Sequence, residues 1–359
     1  MTSPVSSSRT SRAVTAPASE ATAESASNRG GPTDRPTAGV RRPRVSSTDV
    51  LRRWAVVILW VAMVAAFAAA SPDLFLRQGT FDIIFGANGQ LIFLCIALLC
   101  PFCVGEFDFS VAGVMGLTGV IVTVMYSQHE WSLIASVGLA LAAGVVAGAI
   151  NGFIVVTLGV DPIITTLGMA TALQGAALWA SDLTAVSGLP VGFGNLVTNR
   201  FLGMPLFFWY GVVLTVVFAY VLHLTPLGRH MAFVGANREV ARLAGIRVGR
   251  IRFGAFTLSG AIAGLAGVLL AANIGGFDPT SSGAQLLPAL AATFLGTAIL
   301  FPGRFNPIGA WIAVFFLQTG IVGLQLLGLS GWISDVFFGG SLVIAVTVST
   351  LLRRRKAHA

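Results

Sequence analysis

Lysine is almost missing from this chain: of 22 basic residues only Lys356 is lysine, three positions from the end of the 359-residue sequence. That excludes the phosphate-binding loop G-x-x-x-x-G-K-[ST], whose lysine must reach the β- and γ-phosphates. Any ATP hydrolysis therefore belongs to another chain. Charge of either sign is scarce, at 10% of residues against ~25% in a soluble domain. None of the fourteen acids falls near the middle of an apolar run, where ion-coupled carriers place their relay carboxylates. The three cysteines, Cys95, Cys100 and Cys103, begin like an iron–sulfur ligand run, but a fourth cysteine is lacking and they lie in an apolar stretch. They read as small buried hydrophobes. Histidines 129, 223, 230 and 358 show no metal-ligand spacing. No nucleophile–base pair of an enzyme is recognisable.

Apolar residues are what the chain has, at 55%. About 20 apolar residues cross a bilayer core of ~30 Å as a helix. Ten spans are expected, at 54–72, 88–105, 110–127, 132–158, 163–181, 204–224, 253–273, 285–301, 306–329 and 332–352. Backbone groups in lipid must be satisfied within each segment, so the fold class is all-α: a polytopic membrane protein of about ten transmembrane helices.

The arginines test that count. Nine precede Trp54, six lie between residues 225 and 252, Arg304 stands alone, and Arg353, Arg354 and Arg355 join Lys356 in the tail. With a cytoplasmic N-terminus and ten spans, only Arg77 and Arg200 fall outside. Basic residues near span ends stay cytoplasmic, so both termini are expected inside. The net +8 then reflects topology and membrane-lipid contact, and no nucleic-acid partner is expected. Residues 1–53, rich in Ser, Thr, Ala, Pro and Arg and without an aromatic, are expected as a disordered tail, and 353–359 as a short basic one. Ala68-Ala69-Ala70 resembles a signal cleavage site, but the preceding tail is too long for an n-region and the run is long enough to span.

Glycine is abundant, 42 residues. Gly144, Gly148 and Gly152 recur every four residues, as do Gly260 and Gly264; such stripes let helices approach closely in lipid. Uncharged polar residues Asn151, Thr165, Thr166 and Gln174 suit either helix–helix bonding or a path for a neutral solute. Asp108 or Ser110, in the break between spans two and three, can cap the third helix.

The loop at 225–252 carries six arginines against Glu239. Asn237 reads as an N-cap, Glu239 as a favourable first-turn acid, and Gly245 as a left-handed terminator. Between them Val240, Ala241 and Ala244 form a small apolar face, with Arg238 and Arg242 on the polar side. Small residues without bulky lipid anchors favour a protein groove.

This loop resembles that of permease subunits of bacterial ABC importers of the ribose/xylose/galactose type, of type II architecture. Thr225, Gly228, Arg229, Ala232, Gly235, Asn237, Ala241, Gly245 and Ile246 match its pattern, with Val240 replacing an alanine. Gly105 to Ala112 resembles the family's G-G-I-D-L-S-V-G, keeping Asp108, Ser110 and Val111 and replacing two glycines with Glu106 and Ala112. Asn151-Gly152, Thr166-Leu167-Gly168, Leu290-Ala291-Ala292, Gly296 and Gly303-Arg304 also agree, whereas Pro302, Phe305 and Asn306 depart.

The resemblance implies a monosaccharide permease subunit in a bacterial cytoplasmic membrane. It implies a homodimer or a pairing with a similar permease, an ATP-binding subunit beneath, and a solute-binding protein outside. No cofactor is expected on this chain, with ATP and Mg used by the partner. Gly228, Arg229, Gly235, Asn237, Glu239, Ala241 and Gly245 would carry coupling. Asp108, Ser110, Asn151, Thr165, Thr166 and Gln174 would line the path. The alternatives are a branched-chain amino acid or nucleoside permease, or an ion-coupled secondary carrier.

Overall fold

The computed structural model describes residues 47–86, 88–301 and 303–357. The expected tail lies outside them up to position 46, and helix begins at Ser47. In chain order the described α-helices are α1 (Ser47–Ala70), α2 (Pro72–Phe75), α3 (Gln78–Phe85), α4 (Gly89–Phe102), α5 (Val111–Ser127), α6 (Leu133–Gly152) and α7 (Pro162–Ala180). Then come α8 (Val191–Thr198), α9 (Leu206–Leu224), α10 (Pro226–Ala236), α11 (Arg238–Leu243), α12 (Val248–Ile274), α13 (Leu286–Gly296), α14 (Pro307–Leu326) and α15 (Trp332–Ala357).

Six helical segments are long and apolar enough to cross a membrane: Gln78–Phe102, Leu133–Thr157, Pro162–Ala180, Leu206–Leu224, Val248–Ile274 and Pro307–Leu326. Trp54–Ala70, Val111–Ser127, Gly283–Gly296 and Trp332–Thr347 are shorter apolar helices, and together these are the ten expected segments. Their ends differ from expectation in three places. The second begins at Gln78, because α3 precedes the polar Gly86–Gly89 interruption that hides it in the sequence. The seventh begins at Val248, so Arg250 and Arg252 lie on its first turns. The eighth ends at Gly296, ahead of a turn in which Asn306 donates from Nδ2 to the Gly296 and Ile299 carbonyls.

α4 is apolar on every side, and all fourteen of its residues are buried, as a helix without a polar face requires. α12 packs against α4, α5 and α6. The two glycine stripes meet here. A Cβ on Gly148 would stand 2.4 Å from the Phe256 carbonyl oxygen, and one on Gly260 2.3 Å from that of Gly144. The stripes are therefore an internal seam between α6 and α12.

Successive segments alternate in direction. At one end Gly105 meets Arg238, Gly249 faces Val156 and His223 packs on Phe301. At the other, Val186–Ser187 pairs antiparallel with Gly276–Phe277, Gln325 donates to Ser334, and Arg200 pairs with Asp82 at 2.5 Å. The loop at 225–252 thus shares its end with the turns 103–110, 153–161 and 297–306.

Candidate functional site

The loop is more ordered than a single short helix. Pro226 opens α10, where a missing N–H costs nothing and φ is pre-set for helix, and the Thr225 hydroxyl accepts the Gly228 N–H at 3.4 Å. The sequence carried this signal, Thr-Pro at a helix start, although only the helix after Asn237 was expected. Gly228 and Gly235 are there for space. A Cβ at Gly228 would lie 2.2 Å from the Leu222 carbonyl oxygen, and one at Gly235 2.4 Å from that of Cys103. Gly235 thus lets α10 lie directly on the turn that follows α4. Arg229 is exposed and has no ion-pair partner among the described residues.

Asn237 caps α11, its Oδ1 accepting the N–H groups of Glu239 at 3.0 Å and Val240 at 3.1 Å. Gly245 ends the segment at φ +79°, a left-handed conformation that costs a residue with a Cβ. The expected apolar face divides in two. Ala241 is fully buried, in a small cluster with Val104, Met231, Val234 and Ala255, while Val240 and Ala244 are exposed. Neighbours on a helix point ~100° apart, and here that angle turns Ala241 inward and Val240 out. Leu243, which was not singled out in the sequence, is 87% exposed and joins Val240 and Ala244 at i+3 and i+4. Glu239 and Arg242 form an exposed i,i+3 pair at 3.1 Å.

Glu106 ties the loop to the spans. Its carboxylate is buried; its Oε1 accepts from Arg252 Nε at 2.5 Å and forms an ion pair with Arg238 Nη2 at 2.7 Å. Arg238 Nη2 also donates to the Gly105 carbonyl at 2.9 Å. A buried carboxylate is tolerated when charged donors satisfy it; here one comes from α11 and one from α12. Around them lies a cavity of about 570 Å3, lined by Arg238, Arg242, Arg247, Arg250 and Arg252 against Glu239. Sequence reasoning put Arg238 on the polar side of the helix after Asn237 and gave Glu106 and Arg252 no role. The only sequence signal was a second acid, Glu106, beside Asp108 in an apolar break.

Four of the expected path residues come together as one hydrogen-bonded knot. Asp108 Oδ1 accepts from the Ser110 backbone at 3.0 Å and hydroxyl at 2.6 Å, and its Oδ2 accepts from Ser259 at 2.8 Å. Asn151 Nδ2 donates to Ser110 Oγ at 2.8 Å, and Thr166 Oγ1 accepts the Phe109 N–H at 3.0 Å. All five side chains are buried, and the knot joins the turn before α5 to α6, α7 and α12. Ser110 does sit at the N-cap of α5 but makes no side-chain cap bond to it, because its hydroxyl is committed to Asp108. Ser259 was missed, being one small polar residue within an apolar run. Gln174 and Thr165 stand apart. Gln174 bonds the Pro279 carbonyl and accepts from Ser282 at 2.9 Å, at the opposite end; Thr165 bonds the Asp161 carbonyl within its own helix.

Residues 83–346 match the family described as branched-chain amino acid transport system, permease component. The chain is 32% identical over 297 residues to the autoinducer 2 import system permease protein LsrC of Salmonella typhimurium, covering 82% of this chain and 85% of that protein. It is 34% identical over 270 residues to the protein of that name from Photorhabdus laumondii, covering 75% and 80%. To the L-arabinose ABC transporter permease protein AraH of Azospirillum brasilense it is 27% identical over 315 residues, covering 88% and 92%. No solved structure matches. With a family match that takes in nine of the ten apolar segments and the whole 225–252 loop, the chain belongs to this family of polytopic membrane permease components.

Proposed function

We propose that this chain forms the translocation path of an ATP-driven importer for a monosaccharide, a pentose, hexose or related polyol, handed over by an extracytoplasmic solute-binding protein. The observation that carries the proposal is the build of α11. It presents Val240, Leu243 and Ala244 outward while Ala241 and Arg238 anchor it to the spans. An exposed apolar ridge on a rigid mount is what a separate ATP-binding subunit needs in order to grip. That subunit holds ATP and Mg and hydrolyses the nucleotide; this chain binds no cofactor. The 225–252 loop and both termini face the cytoplasm.

Movement of α11 reaches the pathway by two short routes, Arg238 to Glu106 in the turn before α5, and Glu106 to Arg252 on α12. A ligand shifts an equilibrium only through differential contacts with its two states, and this clasp is where a pull on α11 would be felt by the spans. Gly228, Gly235 and Gly245 hold the lever's shape, Asn237 starts it, and Arg229 and Glu239 are exposed to the ATPase. Two copies, or this chain and a similar permease, enclose the path; Asp108, Ser110, Asn151 and Thr166, buried in one knot, hold its helices together, and Thr165 and Gln174 are the residues left to border it.

Solute identity follows the relative named for L-arabinose rather than the amino acids in the family description. The test is mass spectrometry of whatever co-purifies from gently solubilised membranes, followed by uptake of labelled L-arabinose, D-xylose, D-ribose, D-galactose and L-leucine by that complex in proteoliposomes. An ATP-binding subunit in the preparation and ATP-dependent uptake of a sugar support the proposal. Uptake of leucine alone, or of a solute without ATP, overturns it.

A further inference from the structure

At the end opposite the 225–252 loop lies a cavity of about 470 Å3 between α3, α4, α13, α14 and α15, in the size range of small-ligand pockets, roughly 300–1,000 Å3. None of the expected path residues lines it. Its polar groups include the amides of Asn88, Gln285, Gln318 and Gln325 and the carboxylate of Asp335, and Phe338 adds an aromatic ring.

Gln318 is the informative group. It sits eight residues before the end of α14, ~12 Å into the helix at 1.5 Å per residue. It is 5% exposed and faces the cavity, and its amide has no hydrogen-bond partner among the described residues. Its amide atoms are not among the fully buried unpartnered polar atoms, so the group is reached from the cavity and is free to donate to and accept from a ligand there. The side chains of Gln285 and Asp335 likewise have no partner among the described residues, and Asn88 commits only its Nδ2, to the Ile83 carbonyl at 3.3 Å. Gln325 donates to Ser334 at 3.2 Å and keeps its oxygen free to accept.

This set selects a chemistry. Each carboxamide offers a donor and an acceptor, matching a hydroxyl that does the same. A single carboxylate among amides suits neighbouring hydroxyls, and among the described residues no group of three or more acids, histidines or cysteines could hold a metal ion. Acyl chains need no amides. We infer that this cavity binds a neutral polyhydroxylated solute of monosaccharide size, with Gln318 at its inner end, Asp335 at its mouth and Phe338 against the solute's apolar face. The inference rests on the sugar reading above and adds to it a binding site within one subunit, separate from the Asp108 knot.

The test uses the intact complex in proteoliposomes with radiolabelled L-arabinose, D-xylose, D-ribose and D-galactose. Gln318→Met keeps the shape and removes the amide; KM for the transported sugar should rise about tenfold with the maximal rate within about twofold. Independently, Ala284→Cys places a thiol in the exposed lining, against native cysteines that are buried or half-buried. The transported sugar should slow its modification by a methanethiosulfonate reagent at least fivefold. If the unaltered complex transports a sugar but KM in Gln318→Met is unchanged and that sugar does not protect the Ala284→Cys thiol, the site is overturned and the sugar reading stands. If none of the four sugars is transported or protects, both fall.

Discussion

Glu106 and Arg252 are 146 positions apart in the chain and 2.5 Å apart in the fold. With Arg238 on the same carboxylate oxygen at 2.7 Å, one buried acid holds the outermost loop helix, the turn between two spans and the start of the most central span. The arrangement is asymmetric in exposure: Arg252 is mostly buried, whereas Arg238 is 45% exposed.

Removing the acid should therefore hurt more than removing either base. Glu106→Gln leaves two guanidiniums facing no charge, and breaking a buried pair costs ~3–5 kcal/mol. Arg238→Gln, at a half-exposed position, should cost about 1 kcal/mol. Thermal unfolding of the detergent-solubilised protein orders the variants. A double-mutant cycle between the two should give a coupling energy of at least ~1 kcal/mol, and ATP hydrolysed per solute imported should rise in both.

Glycine substitutions separate close approach from open space. Gly228→Ala and Gly235→Ala each drive a Cβ to within 2.4 Å of a backbone carbonyl oxygen and should lower the melting temperature by several degrees. Gly235→Ala should additionally impair uptake, since it lifts α10 from the turn bearing Glu106. Gly175→Ala meets nothing within 4 Å and, in the single subunit, should be neutral in the same melting assay.

The cap of α11 is open to a graded test. Asn237→Ala removes the acceptor for two N–H groups, worth about 1 kcal/mol, and should weaken retention of the ATP-binding subunit on a tagged permease. Asn237→Asp keeps the acceptor and adds a charge favourable to a helix N-terminus, so it should restore retention.

Leu243 carries a different expectation, because nothing among the described residues covers it. Leu243→Glu should leave the melting temperature within about 1 °C, as exposed substitutions away from packed features change stability little. It should nevertheless abolish co-purification of the ATP-binding subunit. Full retention of that subunit would remove α11's outer face from the interface.

Some of the site was legible from local chemistry alone. Asn237 and Gly245 could be assigned because capping and chain reversal are decided within a few residues, and α11 lies between them as expected. The Thr225–Pro226 start of α10 is equally local. Ser259 and Arg252 carried no local signal. A serine in an apolar run and one arginine among six become meaningful only when a partner more than 140 residues away is placed beside them.

The sequence by itself determined the class of molecule: ten apolar helical segments, the basic loop between the sixth and seventh, and the short helix within that loop. These follow from hydropathy, residue spacing and capping, which act over one helix at most. Only the tertiary structure decided that the glycine stripes close an internal seam, that Asp108, Ser110, Asn151 and Ser259 bond to one another, that Ala241 turns inward while Leu243 turns out, and that Gln318 faces a cavity. In each case the outcome depends on which helix lies alongside which, and apolar periodicity is the same whichever neighbour a helix acquires.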